Sequence, residues 1–65
     1  MVKLTRLNGS LFTLNAVYIE QIQSFPDTTI TLTNGKKIVV RESEDDVILL
    51  VTDFFRQISI IKLKN

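Results

Sequence analysis

Hydrophobic and polar residues alternate in short runs along the first 41 residues, which is the period expected of strands with one buried face. Two Asn-Gly pairs, Asn8-Gly9 and Asn34-Gly35, interrupt these runs. Each pair lies between segments rich in β-branched and aromatic residues, and this combination is the strongest local signal for a β-hairpin. The pattern therefore predicts two hairpins in this part of the chain.

The phase of the alternation predicts the length of each hairpin loop, because paired residues must place their apolar side chains on the same face of the sheet. A three-residue first loop pairs Leu4 with Phe12, whereas a two-residue loop would pair Leu4 with Thr13. A three-residue second loop likewise pairs Ile30 with Ile38. We predict type I turns followed by a bulge, with both glycines in the left-handed conformation. Two-residue type I′ turns are the alternative.

A further strand is predicted over residues 18–24, between the two hairpins. Phe25-Pro26-Asp27 ends it, because proline fixes φ and aspartate can bond to its own backbone. Sequential strands joined by short loops are usually antiparallel neighbours. We therefore predict a five-stranded antiparallel meander, as an open sheet or a small partly closed barrel. Its strands should lie at about residues 2–7, 10–15, 18–24, 28–33 and 36–41.

The hydrophobic period changes after Glu42. Ser43 followed by acidic residues as far as Asp46 is typical of a helix N-cap with a capping-box acid, and the acids match no calcium-loop spacing. Apolar residues then recur at alternating spacings of four and three, at Val47, Val51, Phe54, Ile58 and Ile61. This stripe predicts a helix over about residues 44–61 with one buried face. The predicted fold is α+β and β-dominated, with one domain over residues 1–65.

Ile48, Leu50 and Phe55 widen the hydrophobic arc of this helix beyond what one buried stripe needs. An exposed apolar patch is a liability in a lone chain. We therefore expect an oligomer or partner interface on the helix, formed by Ile48, Leu50, Phe54, Phe55 and Ile58. The alternative is that the wide arc belongs entirely to the core, which is the usual meaning of a helical apolar stripe.

Length and composition favour self-association as well. The chain has 65 residues, and one hydrophobic core alone gives comfortable stability only above roughly 70 to 80 residues. It contains no cysteine and no histidine, so disulfides and thiolate or imidazole metal ligands are excluded. Since these supports are missing, we expect a homo-oligomer without a metal or cofactor.

The residue types also argue against catalysis and against a nucleic-acid partner. Histidine, the commonest general acid and base, is absent, and so are the G-x-S-x-G and phosphate-binding glycine motifs. A formal net charge of +1 is far from the basic balance of a phosphate-binding surface. One local group of basic residues is present, formed by Lys36, Lys37 and Arg41. Because of this group, a small barrel that binds nucleic acid remains the alternative to a protein-binding role.

No apolar run approaches the roughly 20 residues that span a bilayer, and the first residues lack the apolar region of a signal peptide. We therefore expect a cytoplasmic protein without direct membrane insertion.

Six short segments in order along the chain resemble the FlbD family of small flagellar proteins, which includes the swarming-motility protein SwrD. They are Thr5 to Gly9, Leu14 to Ala16, Ile19 to Ile22, Pro26 to Leu32, Asn34 to Lys37, and Val40 to Ser43. The similarity covers roughly residues 2 to 50, with mild departures at Gln23 and Phe25.

The resemblance implies a non-enzymatic cytoplasmic protein that supports motor power during swarming, in contact with flagellar stator or basal-body proteins. The family offers no catalytic residues to transfer. Matched polar positions are candidate partner contacts: Arg6, Asn15, Glu20, Asp27 and Glu42. Turn and cap chemistry already accounts for other matched positions: Asn8, Gly9, Pro26, Asn34, Gly35 and Ser43. A regulator of flagellar genes that binds nucleic acid through the basic group is the alternative.

Overall fold

Five strands precede one long helix. The computed structural model describes the backbone of residues 1–64 and the side chains of residues 1–58. Its elements are β1 (Val2–Thr5), β2 (Leu11–Leu14), β3 (Ile19–Gln23), β4 (Thr29–Leu32), β5 (Lys37–Val39) and α1 (Glu44–Lys64), with a 3₁₀ turn at Ala16–Tyr18. The predicted α+β, β-dominated class is confirmed. The strands are shorter than predicted, and the helix begins at the predicted residue and continues beyond its predicted end.

Both Asn-Gly hairpins have the predicted three-residue loop. Leu4 pairs with Phe12, and Ile30 pairs with Ile38. The two loop glycines have φ values of +92° and +88°, and each donates its N–H to the carbonyl three residues earlier at 2.9 Å. In each loop the asparagine side chain accepts the N–H of the residue after the glycine at 3.0 Å. The register prediction is therefore confirmed, and the two-residue alternative is wrong.

Replacing either loop glycine with alanine should lower the free energy of unfolding by about 1 kcal/mol, because an L-residue is strained in the left-handed region. A Cβ at Gly35 would meet nothing within 4 Å, and a Cβ at Gly9 would lie 3.6 Å from the Arg41 guanidinium. Both sites have room, so the two losses should be similar. Urea unfolding measures them. Gly35→Asn is the matched control and should cost less, since asparagine tolerates this conformation; an unchanged Gly35→Ala variant would contradict the turn assignment.

The predicted single meander is wrong, and no barrel closes among the described strands. β1 pairs only with β2 in a two-stranded sheet, and a separate three-stranded sheet has the order β3-β4-β5. The chain turns away after β2 because the Asn15 side chain accepts the Val17 N–H at 3.1 Å and caps the 3₁₀ turn. β3 follows this turn, and it pairs with β4 and not with β2.

The two sheets meet where β5 ends. Arg6 and Val40 form an isolated antiparallel bridge. The Arg41 N–H donates to the Thr5 carbonyl at 2.8 Å, and the Val40 N–H donates to the Thr28 carbonyl at 3.0 Å. The residues after β5 therefore run between the end of β1 and the start of β4, which leaves β2 and β3 at the outer edges.

The core lies between the sheets and the first turns of α1. Ser43 Oγ accepts the Asp46 N–H at 3.1 Å, which confirms the predicted N-cap. Val47 is fully buried, and Val51 and Phe54 pack against the core as partly buried side chains. The fully enclosed apolar residues are Val2, Leu4, Ala16, Ile30, Val40 and Val47. The predicted stripe is confirmed as far as Phe54, while the side chain of Ile61 lies outside the described residues.

Candidate interaction surfaces

A groove runs between the first residues of the chain and the helix. Its volume is about 300 Å³, and its lining residues are Met1, Val2, Lys3, Leu50, Asp53, Phe54, Gln57 and Ile58. Leu50, Phe54 and Ile58 follow one another at helical spacing and form its apolar wall. Lys3, Asp53 and Gln57 give it a polar rim that carries both charges. Three of the five predicted interface residues thus lie together in this groove.

The other two predicted interface residues, Ile48 and Phe55, lie on the opposite flank of α1. At about 100° per residue, Ile48 stands roughly 160° around the helix axis from Leu50. Ile48 is 46 % exposed and Phe55 is 43 % exposed, and Thr52, which lies between them at helical spacing, is exposed as well. We call Ile48, Thr52 and Phe55 the outer stripe. The structure therefore divides the predicted interface into two surfaces.

Two aromatic rings connect these surfaces. Phe54, in the groove, packs against the core. Its ring meets that of Phe55 edge to face, with centroids 5.4 Å apart and an interplanar angle of 80°. This geometry is favourable for aromatic pairs. The exposed ring of the outer stripe is therefore held in place by a ring that the core itself fixes.

Glu42 and Asn15, two of the predicted polar contacts, have partners within the chain. The Glu42 carboxylate accepts the Thr5 N–H at 2.9 Å and the Thr5 hydroxyl at 2.8 Å. Partial desolvation favours a higher pKa, but these hydrogen bonds outweigh it and hold the pKa of Glu42 below its ordinary value. Asn15 caps the 3₁₀ turn. Glu42 therefore ties β1 to the segment that leads into the helix.

The remaining polar candidates are spread over separate elements. The guanidinium carbon of Arg6 lies 4.4 Å from the centroid of the Phe12 ring, within cation–π range. Asp27 accepts the Thr29 hydroxyl at 3.0 Å through its backbone carbonyl. Glu20 is exposed on β3, at an irregularity of the pairing with β4. The five polar candidates do not form one site.

The predicted basic group is divided between the two hairpins. Arg41 donates its Nε–H to the Leu7 carbonyl at 3.0 Å and so lies against the first hairpin loop. Lys36 and Lys37 are exposed in the second hairpin. Among the described residues, no three acidic side chains come together as a group that could hold a metal ion. Glu42 bonds to Thr5, and the three acids that follow it, Glu44, Asp45 and Asp46, lie in the first turn of α1, where negative charge is favourable.

Sequence reasoning missed the other residues that line the groove. Asp53 and Gln57 follow Leu50 at three and seven residues, so the helical period alone could have placed them beside it. Met1 and Lys3 carried no such signal, because their position depends on which strand the helix packs against. A second cavity of about 270 Å³, lined by Leu14, Tyr18, Leu32, Thr33 and Asn34, was also missed. It lies near the place where β2 and β3 part.

A pH-dependent contribution to stability should follow from Glu42. Its pKa is lowered in the folded chain, so its stabilising effect is present above the ordinary value of 4.5 and is lost as the pH falls below it. Glu42→Gln should therefore be less stable than the parent at pH 7, by about 1 kcal/mol for hydrogen bonds to a partly exposed carboxylate. The difference should shrink below pH 4.5.

Urea unfolding of both proteins between pH 7 and pH 3 measures this difference. Glu20→Gln is the matched control, because Glu20 is exposed on β3, and it should change stability at neutral pH by less than about 0.5 kcal/mol. A Glu42→Gln deficit that stays constant over the whole pH range would show that the carboxylate charge is not responsible.

Comparison with known proteins identifies the family. The family model for FlbD, described as flagellar and swarming motility proteins, matches residues 1–59. The chain belongs to the FlbD family. No curated protein and no solved structure matches it. The FlbD match includes both hairpins, the groove and the outer stripe, so each candidate surface lies within the region that defines the family. Within the described part of this FlbD protein, no helix is long and apolar enough to cross a membrane.

Proposed function

We propose that this chain is a SwrD-like, non-enzymatic accessory protein of the flagellum that supports motor power during swarming. It works in the cytoplasm at the flagellar base, and it acts through protein contacts with other copies of itself and with a stator or basal-body protein. The observation that carries this proposal is the groove beside α1 in a chain of a flagellar family.

The groove has the composition of a small protein-binding site. Protein interfaces combine an apolar centre with a polar rim, and aromatic side chains in such centres carry much of the binding energy. Here Leu50 and Phe54 supply the apolar wall, and Lys3 and Asp53 stand at the rim with opposite charges. The partner that fits is a protein segment with one apolar anchor residue between charges of both signs.

Crosslinking in cells tests the partner. A photoreactive residue at Gln57, in the wall of the groove, should capture a stator or basal-body protein. The same probe at Lys36, which is exposed in the second hairpin, is the matched control and should not. Capture of nucleic acid from Lys36, with nothing captured from Gln57, would overturn the proposal in favour of a gene regulator.

Deletion of the gene tests the role. Cells without the protein should assemble a normal number of flagella but produce less torque, measured on tethered cells or attached beads. Restoring the chain should restore torque. A loss of flagella, with normal torque from those that remain, would show that the protein acts on assembly or expression rather than on motor power.

A further inference from the structure

We infer that two copies of this chain pair through α1 in an antiparallel arrangement, with their outer stripes facing each other about a two-fold axis close to Thr52. This inference rests on the proposed function, which already includes contacts between copies of the chain, and it adds the surface and the direction of the pairing. It assigns the outer stripe to a second copy and leaves the groove to the flagellar partner.

The side chains of the outer stripe have the shapes that such a pairing needs. Ile48 and Phe55 stand one helical turn on either side of Thr52, and all three are exposed. Threonine is small, so two helices can approach closely where they cross. In the antiparallel arrangement, Ile48 of one copy comes opposite Phe55 of the other. The side chains of the two helices can then interdigitate, as they do in a coiled coil. Leu49, beside the stripe and 68 % exposed, gains cover from the same contact.

The charge distribution along α1 decides the direction of the pair. Its first turn carries three acids, Glu44, Asp45 and Asp46. Its basic residues come later, at Arg56, Lys62 and Lys64. A parallel pair would place acids against acids, whereas an antiparallel pair places the acidic end of each helix beside the basic end of the other. Opposite charges that face each other across a helical pair favour the orientation that brings them together, which here is the antiparallel one.

The attraction between the two ends involves Asp45 of one copy and Arg56 of the other, whose side chains are both exposed. Within one chain they are 11 residues apart, which is close to three full turns, so they project from the same side of the helix. With the axis at Thr52, Arg56 of the second copy comes within about one turn of Asp45 along the helix. Two-fold symmetry makes this contact twice, because an interface of this kind uses the same surface on both copies.

The length of α1 limits the size that this interface can reach. The helix of 21 residues is about 31 Å long. A specific interface typically buries about 800 Å² on each partner, which is about a sixth of the 4733 Å² surface of this chain. Leu50, in the wall of the groove, lies roughly 160° around the axis from Ile48 of the outer stripe, so this side of the groove faces away from the second copy when the helices pair. A dimer can therefore present two grooves at once.

Disulfide trapping of the purified full chain tests the position of the axis. The protein contains no cysteine, so a single introduced thiol reports on one site. Under mild oxidation, Thr52→Cys should form a covalent dimer at least about tenfold faster than Gln57→Cys, the matched control in the groove, because a disulfide needs Cα atoms within about 7 Å. Equal rates, or a parent chain that sediments as a monomer at tens of micromolar, would overturn the inference.

A charge exchange tests the direction. Arg56→Glu should weaken self-association about tenfold, because each dimer loses two ion pairs and gains two repulsions. Asp45→Lys together with Arg56→Glu should restore it. Circular dichroism is the check that both variants are folded. A double variant that associates no better than Arg56→Glu alone would overturn the antiparallel arrangement. If the parent is monomeric but Gln57 still captures a motor protein in cells, the pairing fails and the motor role stands.

Discussion

Leu4→Ala should remove most of the stability of this protein. Leu4 is fully buried in the core, and cutting a buried leucine back to alanine costs about 2–5 kcal/mol through lost burial and the cavity left behind. A single core in a chain this small rarely supplies more than about 3–5 kcal/mol in total. We therefore expect the variant to be largely unfolded at room temperature, as measured by circular dichroism in a urea series at fixed protein concentration.

Leu11→Ala is the matched control for this variant. Leu11 lies on the strand that pairs with β1, one position from the partner of Leu4, and it is 67 % exposed. Its truncation should change the free energy of unfolding by less than about 0.5 kcal/mol. If the two substitutions cost the same, the hairpin register is wrong, because a slip of one residue exchanges the buried and exposed faces of a strand.

Leu50→Glu should abolish the function and keep the fold. Leu50 is 38 % exposed in the wall of the groove, so a carboxylate there can reach water in the free protein. In a complex it would lie without a partner against the apolar anchor, and a buried unpaired charge is strongly unfavourable. We expect swarm expansion as low as in cells that lack the chain, with a change in the free energy of unfolding below about 1 kcal/mol.

Leu11→Glu is the comparison for this functional test. It introduces the same charge at a leucine that is more exposed and that lies on β2, away from the groove. Swarming should remain at the parental level. If both variants swarm normally, the groove is not the docking surface. If both fail, the effect comes from added charge or lower protein level rather than from the groove, and immunoblotting separates these two causes.

The hairpins were predictable because the information that specifies them is local. Asn-Gly fixes the position of each turn, and the apolar alternation on either side permits only one register with a single buried face. Leu4 opposite Phe12 and Ile30 opposite Ile38 followed from those rules alone. The N-cap at Ser43 was predictable for the same reason, since the side chain and the N–H it accepts are three residues apart.

The arrangement of the sheets was not predictable in the same way. A short loop between two strands usually makes them neighbours, but here Asn15 caps a turn that sends β3 away from β2. That side-chain bond is local, and an asparagine two residues before its bonded N–H is a signal that could have been used. The tie between Thr5 and Glu42 joins residues 37 positions apart, and nothing in the sequence indicates that they meet.

For the candidate surfaces, the sequence indicated that the apolar arc of the helix is wider than one buried stripe needs. It did not indicate that the exposed part of this arc forms two separate surfaces. That division depends on where the helix lies over β1. Leu50 falls beside the first strand and Ile48 falls on the opposite flank only because Val47 is the residue that enters the core. Until that anchor is placed, an excess of apolar residues predicts an interface without specifying how many separate surfaces it forms.

The position of Met1 in the wall of the groove affects how this protein can be studied. An affinity tag or a fluorescent protein fused ahead of Met1 would emerge at the proposed docking surface and compete with the natural partner for it. Pull-downs and imaging with such a fusion would report a false negative. The second hairpin loop lines neither the groove nor the outer stripe, so a reporter attached on that loop avoids this competition, and capture experiments should begin from that fusion.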